Sequence, residues 1–236
     1  MTLALFHAKK LAELPHVVHG FTHRQGGVST KHYESLNLAQ RPDEDSKNVT
    51  ANRHRVLEHL GRSDAELVCL KQVHGDTIVQ VSREAGRSIE ADGVWTQDPK
   101  AAIGVLVADC VPMLLAARSK NSIAAVHAGW RGTPTRISGS HGRASRICGH
   151  CAHRPCCRHW PGNWSLLFEI GEEISDALRE AFPDIRLRFN HEKTAKRWLI
   201  YQLNRTALRD AGVPDENIEI LTHCTACDKR FFPIMT

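Results

Sequence analysis

The chain of 236 residues carries 31 Lys and Arg against 26 Asp and Glu, a formal net charge of +5, and it holds eight cysteines. That length buries a sizeable core, and no linker divides it, so residues 1–236 read as a single domain. The opening MTLALFHAKK has too short an apolar run for a signal peptide, and no stretch approaches the roughly 18 apolar residues of a membrane span. We therefore expect a soluble, cytoplasmic protein with no membrane partner, whose cysteines are thiols or metal ligands rather than a disulfide framework.

In chain order, the first convincing element is a helix over NVTANRHRVLEHLG, with Val49, Val56, Leu57 and Leu60 on one face and Gly61 as its stop. Short apolar runs bounded by turn residues predict strands over 77–82, 103–108, 112–117 and 122–128. A second helix over EIGEEISDALREAF shows Ile170, Ile174, Ala177, Leu178 and Ala181 on one face and ends at Pro183. A third, around YQLNRTALRDAG, closes on Gly212 and Pro214. Between the last strand and the second helix, residues 134–167 break the pattern. They hold four His, four Cys and five Arg (Arg136, Arg143, Arg146, Arg154, Arg158), with no acidic residue and no aliphatic periodicity. Without those arginines the chain is formally neutral, so basicity belongs to one segment. With no aromatic platform beside it, a nucleic-acid-binding role is disfavoured.

Three residues with metal-ligand chemistry fall near the ends of apolar strands: His74 in LKQVHGD, Cys110 in VLVADCVPMLL and His127 in IAAVHAGWRG. Imidazole and thiolate suit zinc and copper, and a catalytic zinc typically keeps three protein ligands and one open position. Their wide separation means that the fold would have to assemble the site. Each residue alone is more often structural: a histidine near a strand end, or a cysteine in an apolar core.

The strings FTHRQGGVS with SLNLA, LKQVHGD, ADGVWT, VLVADCVPMLL and VHAGWRG, in that order, resemble the YfiH family, also described as laccase-domain or multicopper polyphenol oxidoreductase-type proteins. The match runs from about Gly20 to Gly132 and resumes at Phe168. The resemblance implies an α+β fold, a sandwich of mixed β-sheets flanked by helices, with a metal site of His74, Cys110 and His127 in a cleft. It implies purine nucleoside phosphorylase activity on adenosine, inosine and methylthioadenosine, with adenosine deamination as a second activity. The partners would be purine nucleosides and phosphate, and the metal zinc or alternatively copper. Copper-dependent polyphenol oxidation is the alternative activity, and a structural zinc protein or an inactive chain is a further one. Deamination at C6 is chemistry a zinc-activated water can do, although the H-x-E with P-C-x-x-C signature of cytidine deaminases is absent. Arg24, in a turn with Gly26 and Gly27, and Arg131 are candidates for holding phosphate, and Asn37 for touching substrate. Asp109, next to Cys110, is a weaker candidate for orienting a ligand, since strand alternation turns it to the opposite face.

Residues 134–167 occupy the place where this family carries a helix followed by a loop close to GPAIGPCC. Trp has a single codon, and the codons of Arg158 to Leu167 read one nucleotide later permit Gly-Ile-Gly-Pro-Ala-Ile-Gly-Pro-Cys-Cys, in register with the following FEIG. A compensated frameshift beginning soon after Thr133 and ending near Phe168 accounts for the composition. It predicts an irregular, poorly packed segment. KTAKRWLI and the terminal FFPIMT read as similarly altered, the latter as a truncated tail. The competing reading is a zinc ribbon built from Cys148, Cys151, Cys224 and Cys227, but its halves are spaced far more widely than the usual 15–20 or so residues.

Overall fold

The computed structural model describes residues 2–83, 89–108, 110–118, 122–138, 150–153, 172–183, 197–221 and 228–232. Their elements are β1 (Leu5–Phe6), α1 (Lys9–Ala12), β2 (Phe21–Thr22), α2 (Ser46–His59), β3 (Glu66–Cys69), β4 (Ile78–Gln80), β5 (Gly93–Thr96), β6 (Ala101–Gly104), β7 (Val111–Ala116), β8 (Ile123–Ala128), β9 (His150–His153), α3 (Glu172–Ala181), α4 (Arg197–Asp210) and β10 (Ile218–Ile220). A mixed six-stranded sheet in the order β10-β9-β7-β8-β5-β4 forms the centre, and two small sheets pair β1 with β2 and β3 with β6. The fold is α+β, as expected.

Strand alternation sorts the two faces of the central sheet. Val111, Met113 and Leu115 of β7, with Ala124, Val126 and Ala128 of β8, face Tyr201 and Leu208 of α4 and are all buried. Burying one Leu or Met side chain is worth about 1.5–3 kcal/mol, so this layer is a main source of stability. On the other face, Ala125 and Val94 pack with Val68 of β3 and with Ile103 and Leu114. The β3–β6 pair thus forms the second layer, and a side chain at 127 belongs to that side. A further small core joins α3 to α4 through Leu178, Phe182, Leu203 and Ala207.

The helix over 48–61 starts two residues earlier, at Ser46, because Asp45 caps it by accepting from the Lys47 N–H at 2.9 Å. Its buried face holds Val49, Val56 and Leu57 together with Asn52, a polar residue 0% exposed. Asn52 ties the helix to the glycine turn: its Oδ1 accepts from the Val28 N–H at 2.8 Å, and its amide donates to Ser29 Oγ at 2.9 Å and Asn37 O at 2.9 Å. Gly26 sits at φ +93°, which favours glycine, and a Cβ on Gly27 would lie 2.5 Å from Asn52 Oδ1.

Two expectations change. The strand expected over 103–108 is shifted to Ala101–Gly104, where it pairs in parallel with β3. Beyond it the Leu106 backbone bonds to the Gln72 side chain instead of to a strand. Within 134–167, His150–His153 is a strand, antiparallel to β7 and parallel to β10. The sheet edge of β7 offers a regular row of backbone donors and acceptors, which an extended segment can pair without an apolar pattern of its own. Residues 131–138 form turns rather than a helix, and Ile137 and Ser138 are buried. The remainder of that segment lies outside the described residues, as do Asp109, Cys148, Cys224 and Cys227.

Candidate metal centre

The register of the central sheet assembles the site. Pro112 of β7 pairs with His127 of β8, so Cys110, two residues before Pro112, lies diagonally beside His127 on the same face. Gly93 pairs with Val126 across β5 and β8, and one step further along, the His127 N–H bonds to Asp92 O at 2.7 Å. His74 comes from the loop between β3 and β4, not from a strand end, and its φ of +60° is uncommon for a residue with a Cβ.

One ligand atom from each of His74, Cys110 and His127 lies within 4.8 Å of the others. Metal bonds of about 2.0–2.3 Å need donor atoms about 4 Å or less apart, so the three would have to draw slightly closer to share one ion. The burial is graded: His127 is buried, Cys110 half-buried and His74 exposed, so the cluster opens on the His74 side. The two imidazoles meet edge to face with ring centres 4.9 Å apart. A Cβ on Gly129 would lie 3.1 Å from His74 Cδ2 and 3.5 Å from both Cys110 Sγ and His127 Cε1, so the missing side chain leaves space above all three residues. Two nitrogens and a sulfur around such a space fit zinc or copper equally in donor chemistry.

Two residues that motif reading did not single out bind the ligand segments together. Asp92, fully buried, places Oδ1 2.7 Å from His127 Nδ1 and accepts at the same oxygen from the His74 N–H at 3.0 Å. Its Oδ2 accepts from the Gly75 N–H at 2.7 Å and the Val73 N–H at 3.2 Å. Gln72 exchanges two hydrogen bonds with the Leu106 backbone, at 2.8 and 2.7 Å, joining the His74 loop to the segment that leads to Cys110. Asp92 lies in ADGVWT, a motif noted only for its resemblance; the signal that marks it is its position one residue before a strand that pairs with β8.

The expected substrate residues are spread out. Arg131 is exposed, and its guanidinium stacks on Trp130 with its carbon 4.2 Å from the ring centre. Arg24 donates from Nε to Glu34 O at 2.7 Å and lies over Phe232. The Asn37 amide is engaged in its own turn, accepting from the Ala39 N–H and donating to Ala39 O and Glu44. Arg24 and Asn37 line a cavity of about 280 Å³ that none of His74, Cys110 and His127 lines.

The profile of a family described as multi-copper polyphenol oxidoreductase laccase matches residues 18–234. The chain belongs to this family. Among similar proteins, purine nucleoside phosphorylase YlmD of Geobacillus stearothermophilus is 28% identical over 237 residues, covering 91% of this chain and 83% of that protein. Purine nucleoside phosphorylase YfiH of Shigella flexneri is 31% identical over 212 residues, covering 89% and 84%. The crystal structure of YlmD from Geobacillus stearothermophilus matches with a TM-score of 0.80 at 26% identity, over 99% of this chain and 90% of that one. No helix among the described residues is long and apolar enough to cross a membrane.

Proposed function

We propose that this chain is a metal-dependent purine nucleoside phosphorylase acting on adenosine, inosine and methylthioadenosine, with adenosine deamination as a second activity. The observation that carries the reading is the convergence of His74, Cys110 and His127, within 4.8 Å of one another, in a chain whose relatives bear that name. His74, Cys110 and His127 would hold the metal, which when bound supplies a Lewis acid for substrate oxygens or water.

In phosphorolysis a phosphate oxygen attacks C1′ of the ribose, the bond from C1′ to N9 breaks, and the purine leaves with the electron pair. The anion needs a cation near the opening. Arg131, four residues beyond His127 and exposed, is the first choice, and its position on Trp130 restrains the guanidinium for bidentate contact. Arg24 is the second. Asn37 acts through the turn that carries the neighbouring residues rather than by an amide free to reach outward. Residues 134–167 we assign to a shifted reading frame, with the strand His150–His153 recruited by the edge of β7.

Inosine, supplied with and without phosphate to zinc-loaded protein, tests the reading. Hypoxanthine release that requires phosphate and disappears in Cys110→Ala supports it. The second reading, copper-dependent phenol oxidation, is favoured by the family's description and by a donor set that suits copper. Copper-loaded protein that oxidises a phenol and leaves inosine intact would replace the first reading with the second.

A further inference from the structure

We propose that Asp92 is the positioning residue of the metal centre: one buried carboxylate selects the ligand nitrogen of His127 and fixes the loop that carries His74. The inference rests on the metal-centre reading but concerns a residue outside the ligand set. Asp92 is 0% exposed, and both of its oxygens are occupied by donors from the two ligand-bearing segments. At His127 the 2.7 Å contact engages Nδ1, so a proton held there makes Nε2 the nitrogen with the lone pair a metal would need. At the loop, three consecutive backbone N–H groups, those of Val73, His74 and Gly75, converge on the same carboxylate. Such a nest favours an anion, and it holds His74 at the positive φ that the loop requires.

The two functions are coupled through a single group. Oδ1 receives both the imidazole of one ligand and the backbone N–H of the other, so a shift of Asp92 moves His74 and His127 together. An amide in its place cannot reproduce the arrangement, because its NH2 group would face two of the N–H donors that Oδ2 now accepts. Asp92→Asn therefore keeps the shape of the side chain while disturbing the ligand pair.

The first measurement needs no variant. Nitrogen-15 NMR of metal-free wild-type protein, at a pH well above the ordinary histidine range, reads the tautomer of His127. Protonation at Nδ1 is expected, and protonation at Nε2 overturns the proposal whether or not the protein binds metal. The second measurement titrates cobalt(II) into wild-type and Asp92→Asn protein and follows the thiolate charge-transfer and d–d bands. The variant is expected to bind roughly 10–100-fold more weakly with shifted bands, a loss in the range typical for removal of a ligand's hydrogen-bond partner. Unchanged affinity and bands overturn the role of Asp92. Wild-type protein that gives no cobalt bands would sink the metal reading itself, an outcome separate from the tautomer result.

Discussion

Gly129 stands opposite Cys110 when the β7–β8 register is continued by one residue, and the side chain it lacks would press on His74 and touch Cys110 and His127. A single methyl group there would lie 3.1 Å from His74 Cδ2, closer than ordinary van der Waals contact. The position is therefore a direct probe of the space above the cluster. Gly129→Val is expected to lower bound zinc well below one equivalent and to cut kcat/KM by at least about tenfold, which corresponds to about 1.4 kcal/mol. Metal content by mass spectrometry and inosine kinetics check it. Full zinc occupancy with unchanged kinetics would show that this space serves neither metal nor substrate.

Metal removal should read out as stability. A ligand that binds only the folded state stabilises it by about 2.7 kcal/mol at a concentration one hundred times its dissociation constant. Chelation is expected to lower the Tm, re-addition of zinc to restore it, and Cys110→Ala to abolish the difference. Differential scanning fluorimetry is sufficient. A Tm indifferent to chelator in zinc-loaded wild-type protein would argue against a metal held by the fold.

Arg131 separates phosphate from nucleoside binding. It is exposed and contacts Trp130, so its removal should leave the fold intact. A charge-assisted hydrogen bond to an anion is worth about 1.5–3 kcal/mol, and Arg131→Ala should raise KM for phosphate by about tenfold or more with little change in KM for inosine. Initial rates with each substrate varied in turn decide it. Equal effects on both, or on neither, would move the anion site elsewhere, with Arg24→Ala the next variant to measure.

Asn52 is a stability residue. Its amide serves Val28, Ser29, Ser35 and Asn37 from inside the core. Asn52→Ala leaves buried Ser29 and Asn37 and half-buried Val28 and Ser35 without it, and should cost about 2–3 kcal/mol in urea unfolding. The loss would loosen the turn that carries Arg24. A change under about 0.5 kcal/mol would mean that water replaces the amide at this site.

His19 links stability to pH. Burial and the neighbouring His7 push its pKa below the ordinary 6.5, against the opposing pull of Glu219, while its Nε2 accepts the Ala8 N–H at 2.9 Å. Between pH 6.5 and the lower folded value the unfolded chain binds the extra proton, so stability falls as pH drops through that window and is fully present above it. Wild-type protein should lose more Tm between pH 7.5 and pH 5.5 than His19→Gln. Parallel Tm profiles for the two proteins would remove His19 from the linkage.

Periodicity and punctuation were legible without a structure. The helix ending at Gly61, the helix preceding Pro183 and the strands around Met113 and Val126 follow from local patterns, because the burial of one face imposes a period on the chain itself. Glycine at 61 and 212 stops helices by adopting φ of +67° and +92°, again a property of single residues. The short strands β9 and β10 were not legible: their partners are distant in sequence, and pairing is decided by an available edge rather than by a pattern three or four residues long.

The ligand types were likewise a matter of sequence, since His74, Cys110 and His127 stand in motifs whose chemistry is written in the side chains. Their meeting was implied by the family resemblance and by no local pattern of the chain. Chain proximity pointed to Asp109, which lies outside the described residues, and no pattern pointed to Asp92, whose carboxylate contacts His127 from 35 residues away. No local rule relates those two positions. The antiparallel register of β5 with β8 carries Asp92 to His127, and the register of β7 with β8 carries Cys110 to Gly129 and His127. A shift of one residue in either ladder would turn the shifted strand's side chains to the opposite face and part them from His127, so packing of the two sheet faces, and not the motifs, decides that the residues meet.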